Sequence, residues 1–317
     1  MSPTPGPLVV GIEIGGTKLQ LGLGRGDGRI PALERRTIRP EAGAPGILAQ
    51  IEEAYRALLD RPEAGGARPE AVGIGFGGPV DAARGIVTHS HQVDGWDGFP
   101  LAEWAGRTLG VGRVAIQNDA DTAGLGEALF GAGVGLDPIL YVTIGSGIGG
   151  GLIVGGRIYR GAGSGAAEIG HVWVDGPDGP RILESIASGW SIGKTARDRR
   201  GDPCATAETV ARSAVAGDAG AAAILAEAAE AVGTVLAHAV TMIAPRRIIL
   251  GGGVSLIPDP WWIEPIRRRI DERAFPPVRG TFDVVTAALG ESVVIHGALA
   301  LARHALPSDE HESGTTP

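Results

Sequence analysis

The chain has 317 residues, 44% of them hydrophobic and 20% charged, and carries a net charge of −8. That length leaves room for two domains with separate cores, and the acidic balance argues against a nucleic-acid surface, which needs a basic stripe. A single cysteine, Cys204, excludes an intramolecular disulfide and any cysteine-only zinc site.

Met1–Pro7 lacks the basic and apolar regions of a secretory signal, so a cytoplasmic protein is expected. Leu8–Ile14 and Leu19–Gly24 are predicted strands on either side of the bend Gly15–Gly16–Thr17–Lys18, and Ile30–Ile38 is a third. Helix Ala44–Leu59 follows, with Ile47, Ile51, Ala54, Tyr55 and Leu58 on one face. Next come strand Ala71–Phe76, a short helix Phe99–Leu109, strand Val111–Gln117 and helix Asp121–Phe130, which starts right after Asn118–Asp119. A second cycle opens at Ile139 with another hairpin, bent at Gly145–Ser146–Gly147. Helices Ser191–Arg199, Thr206–Ala216 and Ala219–Ala244 lead to strand Arg247–Leu250, which ends in Gly251–Gly252–Gly253. Helix Trp262–Ala274, strand Phe282–Ala287 and helix Val294–Ala305 complete the pattern. Ala219–Ala244 is the most membrane-like segment, but Glu227, Glu230 and His238 interrupt it, so it reads as a buried helix and no membrane partner is expected.

A hairpin-led segment followed by α/β elements thus occurs twice. The predicted fold is α/β, a duplicated actin-like ATPase (ribonuclease H-like) fold with two lobes around a central cleft. The expected division is an N-terminal lobe at 1–118, completed by the C-terminal helix at 294–306, a larger lobe at 119–293, and a polar, disordered tail at 307–317.

Glycine bends at strand ends let backbone N–H groups approach an anion, because no Cβ stands in the way. Gly145, Gly147 and Gly150 also satisfy the dinucleotide pattern G-x-G-x-x-G, but an apolar strand follows them where that pattern needs a helix. No G-x-x-x-x-G-K-[ST] occurs. The remaining reading gives a polyphosphate three cradles, at Gly15–Gly16–Thr17–Lys18, Gly145–Ser146–Gly147 and Gly251–Gly252–Gly253. Phosphoryl transfer to a hydroxyl needs a nearby carboxylate to accept the proton. Asp119 is the candidate, beyond the end of a strand, where α/β folds place ligands; its alternative role is helix capping, with Asp121 the purer helix-start residue. Glu168, His171 and Glu184 are candidate partners for the hydroxyls of a sugar. Their alternative roles are a solvated face for the glutamates and a structural one for the histidine.

These residues resemble the ROK family of bacterial sugar kinases and sugar-responsive repressors. The matching segments are Gly11–Lys18, Gly73–Val80, Asn118–Ala120, Ile144–Gly151, Glu168–His171, Leu183–Ser185 and Gly251–Val254, in family order. The resemblance implies an ATP-dependent kinase for a hexose, most plausibly glucose at its 6-hydroxyl, with Asp119 as general base. It implies that Gly78, Asn118, Asp119, Glu168, His171 and Glu184 hold the sugar. ATP phosphates would lie on Gly15, Gly16, Thr17, Lys18, Gly145, Ser146 and Gly147, with adenosine near Gly251, Gly252 and Gly253 and with Mg²⁺ steered through water by Glu13. A homodimer is implied as well, and the lack of a helix-turn-helix before Leu8 disfavours the repressor branch. The family's zinc-binding cysteine cluster is missing from Val172–Leu183, which looks like a shortened loop, so no structural zinc and no protein-bound metal are expected. The alternatives are a kinase for fructose, mannose or an N-acetylated hexosamine, with specificity in His89–Trp96, and a non-catalytic sugar-binding regulator.

Overall fold

The computed structural model describes residues 6–90, 93–163, 165–176 and 179–307. The tail expected to be disordered lies, beyond Pro307, outside the described residues. By contact the described chain forms two compact units: residues 6–130, 161–163 and 291–307, and residues 131–160 and 165–290.

In the first unit, β1 (Val9–Ile14), β2 (Lys18–Gly24) and β3 (Ala32–Thr37) form an antiparallel meander. Helix α1 (Gly43–Leu59) then crosses to β4 (Ala71–Phe76), which lies parallel to β1. Two short strands, β5 (Val80–Asp81) and β6 (Ile86–Val87), pair with each other and precede α2 (Leu101–Leu109). Strand β7 (Arg113–Asn118) joins β4 in parallel, giving the order β3-β2-β1-β4-β7, and α3 (Asp119–Phe130) follows without a loop. Every residue of β1 and β4 is buried, as befits strands covered on both faces. Ile47, Ile51 and Leu58 of α1 and Leu101 of α2 share one core with Val10, Ile12, Leu19 and Leu21.

The other face is covered by the C-terminal helix, Val293–His304, which packs closely with α3, β1 and β4. Gly11 and Gly73 are register partners on β1 and β4. A Cβ on Gly73 would stand 2.0 Å from the Ala298 carbonyl oxygen, so the helix backbone lies directly on the sheet. This packing carries α3 into the first unit, which runs on to Phe130 by contact, where the sequence suggests a division after Asn118.

The second unit repeats the plan. Strands β8 (Ile139–Ile144), β9 (Ile148–Val154) and β10 (Arg157–Ile158) form the meander. Next come β11 (Trp173–Gly176), β12 (Gly179–Ile182) and four helices: α4 (Glu184–Ala187), α5 (Gly189–Arg200), α6 (Ala207–Val215) and α7 (Ala219–Ile243). Strand β13 (Arg247–Gly251) lies parallel to β8, helix α8 (Ile263–Arg273) follows, and β14 (Asp283–Thr286) lies parallel to β13. The order β10-β9-β8-β13-β14 matches the first sheet strand for strand, in direction as well as sequence of pairing. That is the duplicated actin-like fold. Helix α7 is long and apolar enough to cross a membrane by length and composition, but Ile224, Leu225, Val232, Leu236 and Val240 are buried in this unit's core.

One reading needs correction. The described parts of Val172–Leu183 are not a loop but the antiparallel pair β11–β12, with Val174 opposite Arg181 and Val174 packed into the core. Pro180 and the glycines hide this pairing from strand propensity. Tertiary contact supplies what local preference does not.

Candidate active site

In the first unit, the parallel strands β1, β4 and β7 all end at one edge, and their end loops are tied together. Gly77 N–H donates to the Ile14 carbonyl (2.8 Å), and Gly15 N–H closes the β1–β2 turn on the Lys18 carbonyl (2.9 Å). Asn118, at the end of β7, does two things. Its Oδ1 accepts from Ala120 N–H (2.8 Å) and so caps α3, while its Nδ2 donates to the Gly78 carbonyl (3.1 Å). Asp121 is therefore not the helix-start residue: it is 6% exposed, inside the first turn of α3. Asp119 is the first residue of α3, next to that cap. The Asp119 Oδ2 lies 3.4 Å from where a Cβ of Gly77 would stand, a point 3.4 Å from the Gly15 Cα, so the carboxylate sits beside the β1–β2 turn.

At that turn, Lys18 Nζ is 3.1 Å from Glu13 Oε1 and donates to the Glu291 carbonyl (3.2 Å). Gln20 Nε2 donates to Glu13 Oε2 (2.8 Å). Burial raises the Glu13 carboxyl above its ordinary value, and the Lys18 ammonium opposes that rise. Lys18 is thus held by Glu13 and Glu291, and Thr17 is exposed at the tip of the turn. Of the expected specificity segment, 91–92 lies outside the described residues; His89 Nδ1 pairs with Asp97 Oδ1 at 2.9 Å, and Trp96 is buried edge-on to Phe76 and Phe99.

In the second unit the β8–β9 turn is built the same way, with Gly145 N–H donating to the Gly147 carbonyl (2.9 Å). Gly189, the first residue of α5, donates to the Gly145 carbonyl (2.7 Å), and Ser188 caps that helix by accepting from Ser191 N–H. Glu184 reaches into the turn: its Oε2 accepts from Ile148 N–H at 2.7 Å. The short 3₁₀ turn Ile169–His171 packs against the same residue, since a Cβ on Gly170 would stand 2.2 Å from the Ile148 carbonyl oxygen. Glu168 precedes that turn and His171 is its last residue, both exposed. The backbone of the turn between Glu168 and His171 and the Glu184 carboxylate thus both meet Ile148.

Gly252 follows β13 with φ +82, and a Cβ there would stand 2.4 Å from the Ile144 carbonyl oxygen, so only glycine fits. Beside it opens a cavity of ≈ 860 Å³, lined by Gly145, Ser146, Trp190, Arg212, Gly253 and Ile257 among others. That volume is ample for a nucleoside. At its wall Arg212 pairs with Glu208 at 2.6 Å. The sequence reading missed Trp190, Glu208 and Arg212. The available signals were the caps that open their helices there, Ser188 for α5 and Thr206 for α6. Among the described residues, no three His, Cys, Asp or Glu side chains gather as a metal cluster.

Residues 9–305 match the ROK family. The chain is 31% identical over 313 residues to a glucokinase of Thermotoga maritima, covering 92% of this chain and 96% of that one. Among solved structures it resembles a ROK hexokinase from Thermus thermophilus, with TM-score 0.80, 31% identity and coverage of 93% and 97%. It also resembles a ROK family glucokinase from Streptomyces griseus, solved with glucose and AMPPNP, with TM-score 0.78, 32% identity and coverage of 94% and 99%.

Proposed function

The chain belongs to the ROK family and is a sugar kinase, and from that premise we propose that it transfers the γ-phosphoryl group of ATP to glucose, at the 6-hydroxyl. The observation that carries the chemistry is Asp119. Its carboxylate stands beside the glycine turn of β1–β2, at the start of α3 and next to Asn118, which caps that helix. Asp119 accepts the proton of the attacking hydroxyl while the γ-phosphoryl leaves ADP. Asn118 holds the Gly78 loop, so that Gly78 and Asn118 present the hydroxyl to the base.

In the second unit, the turn Gly145–Gly147 offers backbone amides to phosphate oxygens, and the adjoining cavity takes the adenosine. Glu168, His171 and Glu184 meet the sugar hydroxyls, each carboxylate able to accept more than one hydrogen bond. Glu13 and Thr17 are the residues suited to hold the water shell of a Mg²⁺ ion that travels with ATP and offsets phosphate charge. The buried Glu13 carboxyl fits that part, because a cation beside it favours the ionised form that burial opposes.

A coupled assay of ADP release over glucose, mannose, fructose and N-acetylmannosamine tests the reading. Glucose should give the highest kcat/KM. A higher value for another sugar reassigns the acceptor, and no sugar-dependent release overturns the proposal.

A further inference from the structure

Glu227 is one of two glutamates in an otherwise alanine-rich α7, and the chemistry above does not use it. It bridges two arginines. Its Oε1 lies 3.3 Å from Arg181 Nη2 on β12, and its Oε2 lies 2.7 Å from Arg199 Nη1 on α5. We propose that Glu227 is a positioning residue for the acceptor sugar, clamping the segment that carries Glu184 from both sides; the proposal rests on the sugar-kinase reading above.

The chain path makes the case. The turn Ile169–His171 runs into β11, β12 runs into Leu183 and Glu184, and α4 runs into α5. The β11–β12 pair therefore sets the spacing between Glu168–His171 at its start and Glu184 at its end. Leu183 N–H donates to the Val172 carbonyl (2.9 Å), closing that end of the pair. Residues directly opposite in an antiparallel pair share a face. Val174 and Arg181 are such partners, and that face is turned to α7, with Val174 in the core and Arg181 on Glu227.

Downstream of Glu184 the second arm takes hold. Ser191 Oγ of α5 donates to the Glu184 carbonyl (2.8 Å), and Arg199 of the same helix meets Glu227. One carboxylate thus fixes the strand before Glu184 and the helix after it. The Glu227 side chain is 29% exposed, so the two ion pairs are partly screened. Their use is then geometric. They aim the Glu184 side chain at the β8–β9 turn, where it accepts from Ile148 N–H.

The test compares wild type with Glu227→Gln, Arg181→Met and the double variant, with melting temperature measured alongside kinetics. A displaced sugar ligand shows as a rise in acceptor KM. Glu227→Gln should raise the hexose KM about ten-fold and leave the ATP KM and the kcat at saturating hexose within about two-fold. Arg181→Met should do the same, and the double variant should add nearly nothing further, since both remove one clamp. A hexose KM within about two-fold of wild type in both variants overturns the proposal, as does a loss shared equally by hexose and ATP. If wild type releases ADP only with hexose, the kinase reading stands whatever Glu227 does; if it does not, that reading falls first and takes the clamp with it.

Discussion

Asn118 shows how a single side chain assigns roles to its neighbours. By accepting from Ala120 N–H and donating to the Gly78 carbonyl, it uses its amide to fix two backbones. Asn118→Ala should therefore cost about 1 kcal/mol of stability from the lost cap, and in ADP-release kinetics it should weaken turnover more than its loss of melting temperature suggests. Glu13 allows a prediction with a sign. Burial, its largest influence, raises its carboxyl above the ordinary value of 4.5, so the folded state favours the protonated form. The stability this confers is complete below that value and is lost as pH rises through the folded pKa. Glu13→Gln mimics the neutral acid, so its melting temperature relative to wild type should climb between pH 4 and pH 7, and a difference that falls over that range contradicts the assignment.

Among the elements, the glycine-bent hairpin that leads each sheet was legible because apolar β-prone runs are punctuated by glycine turns, whereas the two-residue strand β10 that completes the second meander is too short to carry a pattern. The start of α3 was not legible, because Asn118, Asp119 and Asp121 are all good capping residues and only the folded geometry selects Asn118. Strands β11 and β12 were illegible for a different reason: their pairing is held by Val174 in the core and by Arg181 on Glu227, contacts remote in sequence. Within the matching segment Gly73–Val80, Gly73 of β4 serves packing. Gly73 lets the C-terminal helix lie on the sheet. Gly73→Ala places a Cβ against the Ala298 carbonyl and should destabilise by about 3 kcal/mol or more, read as a lowered urea midpoint.

On the scale of the molecule, the chain returns to its beginning. Ile295, Leu299 and Ala302 of the C-terminal helix join Val9 and Ala71 in one cluster, so the first sheet is covered on that face by residues far along the chain from its strands. A chain cut after Gly290 should keep hydrogen-exchange protection in β8, β9 and β13 while β1 and β4 lose it; equal protection in both sheets contradicts this division of the fold. The duplicated topology was readable from the repeated pattern. The cavity beside Gly252 was not, because Trp190 of α5 and Glu208 and Arg212 of α6 line one wall only once the two helices have packed.

The most direct measurement is the effect of Asp119→Asn on hexose-dependent ADP release, made together with calorimetric titration of the hexose. Loss of the proton acceptor should lower kcat by about 10²–10⁴-fold, while the hexose still binds within several-fold of its wild-type affinity. Turnover close to wild type in that variant would contradict the account, because some other group would then be taking the proton.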